Sequence, residues 1–239
     1  MPPMNGNTIS GEFFLRNFNN LGFGAEIIYS FVIIICSLMI YFGTKELYEL
    51  RNYKGIKYFR EAFLFFAIAY FFRSFIKFVV NYFNVSAILD ISQREFGFAF
   101  GQITLLIFVY FSSMAIFYLL YSVMYKKWEG NSKVIYLFHM IALIIAIISI
   151  LFPNPLIHLS INLIFLIIFS IIAYVSHKHS LNKKGGLYIV YILLLVFWIL
   201  NIIDILIPKF LQTYQLAIYL SSTGIFLYIL YKVLKRAGN

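Results

Sequence analysis

Seven separate apolar stretches, each about long enough to cross a bilayer, leave almost no chain for a soluble part. They fall at roughly 24–44, 60–83, 98–125, 134–152, 156–176, 186–207 and 210–232. Backbone groups in lipid must pair internally, so only helices or a closed barrel can cross it. Continuous apolar runs favour helices over the alternating pattern of barrel strands. The expectation is one all-α integral membrane domain over residues 1–239, a seven-transmembrane-helix bundle.

Composition agrees with this class. Hydrophobic residues are 62% of the chain and charged ones 12%, about half the charged share of a soluble domain. The net charge of +10 is not a nucleic-acid signal, because the basic residues flank apolar spans. Membrane lipids with acidic headgroups are the expected partner, and nucleic acid is not. The single cysteine, Cys36, lies inside the first span and excludes an intramolecular disulfide. The start, MPPMNGNTIS, lacks a basic segment before an apolar one, so no cleavable signal peptide is expected.

The basic residues also orient the chain. Lys45, Arg51, Lys54, Lys57 and Arg60 lie between spans one and two, and Lys126, Lys127 and Lys133 between three and four. Lys178, Lys183 and Lys184 follow span five, and Lys232, Lys235 and Arg236 end span seven. Only Arg16, Arg94 and Lys209 fall on the other side, three against fourteen. The positive-inside rule then puts the N-terminus outside and the C-terminus in the cytoplasm of a multi-pass protein of the cell membrane. Tyr48, Tyr53, Tyr125, Trp128 and Tyr136 gather at the inner ends, as an interfacial belt does.

Two segments recur. Lys54-Gly55-Ile56-Lys57-Tyr58 enters span two and Lys184-Gly185-Gly186-Leu187-Tyr188 enters span six, both KGxxY. YFSSMAIFYLLYSVMYKK from Tyr110 matches YLSSTGIFLYILYKVLKR from Tyr219. These matches predict a parallel 3+1+3 repeat about an axis along the membrane normal, with units 24–125 and 156–232 joined by span four. SWEET-type sugar transporters share that plan, and seven-helix receptor-like folds share the helix count and orientation. The prolines SWEET transporters carry within helices are missing here, since Pro153, Pro155 and Pro208 sit at span ends.

Charges inside lipid are costly, so each marks a candidate site. Arg73 lies mid-span in span two, with Lys77 and Asn81 on the same face at i+4 and i+8. Asp204 is the first expected counter-ion and Glu26 the second. Asn201 lies one turn from Asp204, and His158 and Asn162 form an i,i+4 pair at the outer end of span five. Gln102 and Gln215 enter spans three and seven from outside. All belong to the outer half. The expectation is a polar pocket facing outward, floored by Ser112, Ser113, Ser221 and Ser222. For the serines alone, packing and backbone bonding are the expected roles.

Other chemistries fail on specific residues. Span seven has no mid-helix lysine for a retinal Schiff base, since Lys209 and Lys232 sit at its two ends. His139, His158, His177 and His179 do not group as metal or haem ligands, so no cofactor or metal is expected. His158-xxx-Asn162 resembles one fragment of intramembrane protease motifs, but the paired glutamates those enzymes need are absent. The stretch KGIKYFREAFLFFAIAYFFRSF bears a faint resemblance to uncharacterised archaeal membrane proteins, which carries no function with it.

The leading reading is a receptor- or sensor-like bundle. A small polar or anionic ligand, or a lipid headgroup, would enter from outside, with Arg73 and Lys77 holding its anionic groups. Asp204, Glu26, Asn201, His158 and Asn162 would shape the pocket. A cytoplasmic partner would dock on the basic inner face, because the loops are too short to hold an output enzyme. A small-solute transporter on the repeat is the alternative, and an intramembrane enzyme, for which no nucleophile–base pair is visible, the third. Orientation is directly testable. In a Cys36→Ser background, cysteine placed at Asn7 should react with an impermeant thiol reagent in intact cells, and cysteine at Lys183 should not. The reverse pattern would exchange inner and outer throughout.

Overall fold

The computed structural model describes residues 7–82, 93–128, 131, 133–152, 154–181, 187–206 and 212–237, with side chains of the first helix described from Gly24 onward. The described chain is helical, without strands. The helices are α1 (Asn7–Gly43), α2 (Lys45–Arg51), α3 (Lys54–Tyr82), α4 (Gln93–Trp128), α5 (Lys133–Leu151), α6 (Pro155–Leu181), α7 (Leu187–Leu206) and α8 (Gln212–Ala237). Each of the seven expected spans overlaps one long helix. The short α2, between spans one and two, was not anticipated. Most of the loop expected after span two lies outside the described residues, and α4 begins within it, at Gln93.

Five stretches among the described residues are long and apolar enough to cross a membrane: Gly24–Arg51, Gly101–Trp128, Lys133–Leu151, Leu156–Lys178 and Tyr214–Ala237. α7 contributes a shorter apolar segment, Tyr188–Asp204. α3 carries Lys57, Arg60, Glu61, Arg73 and Lys77 and falls outside that set. Large apolar side chains remain exposed along α5, α6 and α8, among them Leu143, Ile147, Leu163, Ile167, Leu216 and Leu220. Such a surface suits lipid rather than water. The fold is consistent with a multi-pass membrane protein.

Six helices close a ring in the order α1, α3, α4, α6, α7, α8 and back to α1. α5 stands outside it, packed mainly on α4 and touching α6 only slightly. Its sequence explains this position. Phe138, Ala142, Ala146 and Ser149 form one narrow buried stripe at helical spacing, enough for one neighbour. α1 shows the same logic toward α3. Ser30, Ser37 and Thr44, seven residues apart, are buried and small enough to let backbones approach closely. On its other flank α1 meets α8 so tightly that a Cβ at Gly43 would overlap the Leu234 side chain.

Helix ends are tied where the sequence supplies caps. The Asn131 side chain accepts from Lys133 N at 3.2 Å, and the Asn154 side chain from Leu156 N at 2.9 Å. Asn52 adopts the left-handed region, φ 43°, and its N–H donates to Tyr48 O at 2.8 Å, ending α2. Arg60 Nε donates to Tyr41 O at 3.0 Å in the last turn of α1, with its guanidinium 4.8 Å from the Tyr41 ring centre. A cation there also complements the negative end of the helix dipole. Gly55 of the first KGxxY lies against the Tyr53 ring, which a Cβ would strike. Its carbonyl accepts from Ser122 Oγ of α4 at 2.8 Å. Apart from the Asn154 cap, which lies between α5 and α6 at the opposite end, these contacts gather at the basic end of the ring.

Mid-ring, the interior is aromatic. Phe226 of α8 is fully buried, its ring centre 4.7 Å from Phe197 of α7, 6.5 Å from Phe63 and 6.4 Å from Phe66 of α3. All four rings are fully buried, so the stack joins three helices by dispersion and ring geometry. Phe226→Ala should therefore cost about 3 kcal/mol in detergent unfolding. The adjacent Leu227→Ala, on the exposed face, should stay within about 0.5 kcal/mol of the parent. Equal losses at both positions would contradict the ring arrangement.

Candidate functional site

At the end of the ring away from the basic cluster, one charged pair organises the interior. Arg73 Nη2 lies 3.0 Å from Glu26 Oε1, and Arg73 Nε donates to the same oxygen at 3.2 Å. Their side chains are only 22% and 15% exposed, enough shielding to make the contact strong. Two donors on one oxygen also orient the guanidinium. Phe108 of α4 supplies a face to that cation, 5.3 Å from its ring centre, and Tyr70 does so at 6.0 Å.

The first expected partner of Arg73, Asp204, is thus replaced by the second, Glu26. Helix order is the reason. α1 is the direct neighbour of α3 in the ring, and Glu26 lies on the α3-facing stripe with Ser30, Ser37 and Thr44. Asp204 sits on α7 beyond the tyrosines. It is half-buried and close enough for its charge to be felt at Tyr70 and Tyr219.

Tyrosines connect the pair to the other helices. Tyr29 OH and Tyr70 OH are 3.2 Å apart, and Tyr70 OH donates to Asn201 Oδ1 at 3.3 Å. Asn201 Nδ2 in turn donates to Phe197 O at 2.9 Å, which sets the amide's orientation. Tyr29 stacks on Tyr219 with ring centres 4.8 Å apart and planes 11° from parallel. Gln215 Nε2 donates to Tyr219 OH at 2.9 Å. Tyr29, Tyr70 and Tyr219 are all buried. Their hydroxyls replace water as partners in a region that water cannot freely solvate.

The other expected site residues separate into groups. His158, half-buried on α6, lies within reach of the Arg73 charge. Asn162 is buried, but its Nδ2 donates to His158 O at 2.8 Å, back into its own helix. The His158–Asn162 relation is therefore side chain to backbone, not two side chains meeting at a ligand. Asn162 O also accepts from Trp198 Nε1 of α7 at 3.2 Å, which locks α6 to α7. The side chains of Lys77 and Asn81 lie outside the described residues. Gln102 is half-buried near the start of the span in α4.

The serine floor is incomplete. Ser112, Ser113 and Ser222 are buried, whereas Ser221 is exposed on the outer side of α8. Ser112 and Ser113 both donate to Val109 O, at 3.1 and 2.6 Å. Their hydroxyls are spent on their own helix, as intramembrane serines commonly are. Among the described residues no group of His, Cys, Asp and Glu could hold a metal ion.

What sequence reasoning missed are the tyrosines and Phe108. A signal existed. Tyr29 follows Glu26 by three residues and Tyr70 precedes Arg73 by three, so each shares a helical face with a charge. A mid-span tyrosine on a charged face is a natural hydroxyl partner.

With this arrangement described, the relationship to other proteins is informative. The chain is 33% identical over 215 residues to an uncharacterised protein of Archaeoglobus fulgidus, covering 89% of this chain and 92% of that protein. It belongs to the same family as that archaeal protein. No family model matches the chain. No solved structure matches it either.

Removing one member of the Arg73–Glu26 pair leaves the other charge uncompensated. Arg73→Leu or Glu26→Leu alone should each cost about 3 kcal/mol in detergent unfolding. The double leucine variant should recover most of that loss, whereas Arg73→Leu with Asp204→Leu should not. Recovery with Asp204 instead would reassign the partner.

Proposed function

We propose that this chain is a receptor- or sensor-like protein of the cell membrane that crosses the bilayer seven times with its N-terminus outside. It recognises a small polar or anionic ligand, or a lipid headgroup, at the Arg73 cluster. The observation that carries this reading is the contrast between two levels of the ring. At one level Glu26, Arg73, Asn201, Asp204 and His158 converge with Tyr29, Tyr70 and Tyr219. Directly beside it, Tyr70 meets Phe197, which meets the Phe226 stack. A solute moving along the ring axis would have to displace that stack. Recognition without passage therefore suits the interior better than transport. Arg73 binds an anionic group only if Glu26 shares or releases it, so ligand binding and the α1–α3 contact are coupled. Such coupling is what a sensor needs, because a ligand shifts a conformational balance only through differential contacts.

One observation supports the alternative of a small-solute transporter. The ring order α1, α3, α4, α6, α7, α8, with α5 outside, is the order a parallel duplication of a three-helix unit requires. Under the exchange of α1 with α6, α3 with α7 and α4 with α8, every neighbouring pair maps onto a neighbouring pair.

Purified protein in nanodiscs should gain thermal stability from one or more of inorganic phosphate, acetate, glycine and glycerol phosphate added separately. Asn201→Ala should weaken the effective probe by about tenfold, equal to about 1.4 kcal/mol. A probe that stabilises the parent and the Arg73→Leu/Glu26→Leu variant equally would overturn the site. Accumulation of that probe inside proteoliposomes would favour the transporter.

A further inference from the structure

The helix outside the ring, α5, has an attachment that the Arg73 cluster does not touch. Its buried stripe of Phe138, Ala142, Ala146 and Ser149 is apolar but for one hydroxyl, and Ser149 Oγ donates to Ile145 O of its own helix at 2.9 Å. The polar tie to α4 comes from another side chain. His139 Nδ1 lies 2.8 Å from the Tyr110 hydroxyl of α4. Tyr118, also of α4, meets the same imidazole edge to face, with ring centres 6.3 Å apart and planes 79° from parallel. Beside His139, Phe138 stacks on Phe117 at 5.0 Å and lies 5.9 Å from the Trp128 ring.

In lipid, a helix that leaves its neighbour exposes apolar surface to an apolar solvent, so no hydrophobic penalty holds it in place. Lys133–Leu151 is long and apolar enough to cross a membrane by itself. Docking of α5 therefore rests on one narrow packed stripe and on the Tyr110–His139 contact. That contact depends on a proton. Histidine is the side chain that changes charge between about pH 5 and 8. A neutral imidazole can accept the Tyr110 proton at Nδ1 without carrying charge. A protonated one donates at both nitrogens and brings a full charge to a half-buried site.

The groups around His139 cannot balance that charge. Those of α4 are Tyr110 and Tyr118, and tyrosine is neutral at these pH values. Tyr118 packs between Tyr58 and Phe65 of α3, at 5.7 and 4.9 Å. The carboxylate on that face of α3, Glu61, is already paired with Lys57 at 3.7 Å. α6, the slight second neighbour of α5, brings no titratable group against the imidazole among the described residues. On α5 itself Tyr136 is exposed, and Lys133 stands at the helix start. His139 follows that start by six residues, about 9 Å along the axis. Once free of α4, an imidazolium at this depth can reach toward the headgroups.

We infer that α5 is a pH-operated helix, docked on α4 while His139 is neutral and released when it is protonated. The inference is independent of the Arg73 site.

The test measures the α4–α5 distance in the full chain in nanodiscs, with Cys36→Ser as background. Spin labels on cysteines at Lys126 of α4 and Tyr136 of α5, both exposed, report it by double electron–electron resonance. A second, longer distance should appear on acidification from about pH 8 to about pH 5, its share rising about tenfold. His139→Gln, which can still bond to Tyr110 but cannot titrate, should keep the short distance at both pH values. Tyr110→Phe should show the longer distance already at the higher pH. A control pair at Lys54 of α3 and Lys126, across two helices of the ring, should not change. An equal change in that control would assign the effect to general unfolding and overturn the inference. So would one unchanged α4–α5 distance in the parent, or an equal response in His139→Gln. If His139→Gln does not fold, Tyr110→Phe decides, and parental behaviour in that variant would overturn the inference too.

Discussion

A guanidinium cannot sit alone among apolar helices, and the interior is arranged around that constraint. Arg73 stands in the second half of α3, with its side chain turned inward and only 22% exposed. Its charge is met by Glu26 of α1, at 3.0 Å, and by the faces of Phe108 and Tyr70. The pair fixes the register of α1 against α3. That register brings Tyr29 to Tyr70 and stacks Tyr29 on Tyr219 of α8. Three helices are thus joined by consequences of one ionic contact, and Asn201 adds α7 through the Tyr70 hydroxyl.

Below this level the physics changes. In an apolar solvent no hydrophobic force holds helices together, so packing has to do it. The Phe63, Phe66, Phe197 and Phe226 rings fill the ring centre, and small residues let α1 approach its neighbours. Toward the basic end, polar contacts return, but to backbone: Arg60 to Tyr41 O and Ser122 to Gly55 O. The three levels separate tasks. One concentrates ionisable chemistry, one packs aromatic rings, and one ties helix ends and collects cations.

Much of this was legible in the residues themselves. Apolar run length and backbone satisfaction suffice to call for helices at the seven positions. The same residues single out Arg73 and Glu26, because a charge amid apolar sequence stands out whatever the fold. The hydroxyl floor was less legible. Ser221 and Ser222 are adjacent, and a helix turns adjacent residues by about 100°, so burying one exposes the other. Asn162 and His158 share a face, yet their spacing suits a back-bond to the helix carbonyl equally well.

The sequence alone determined where the long helices lie and which charges need partners. Those are properties of single segments, set by hydropathy, by backbone hydrogen bonding and by the cost of an isolated charge. Only the tertiary structure decided which carboxylate meets Arg73, that three tyrosines close the polar level, and that α5 stands outside the ring. Those outcomes depend on helix neighbours and rotation. Glu26 and Asp204 are equal candidates by charge, and only the adjacency of α1 to α3 separates them.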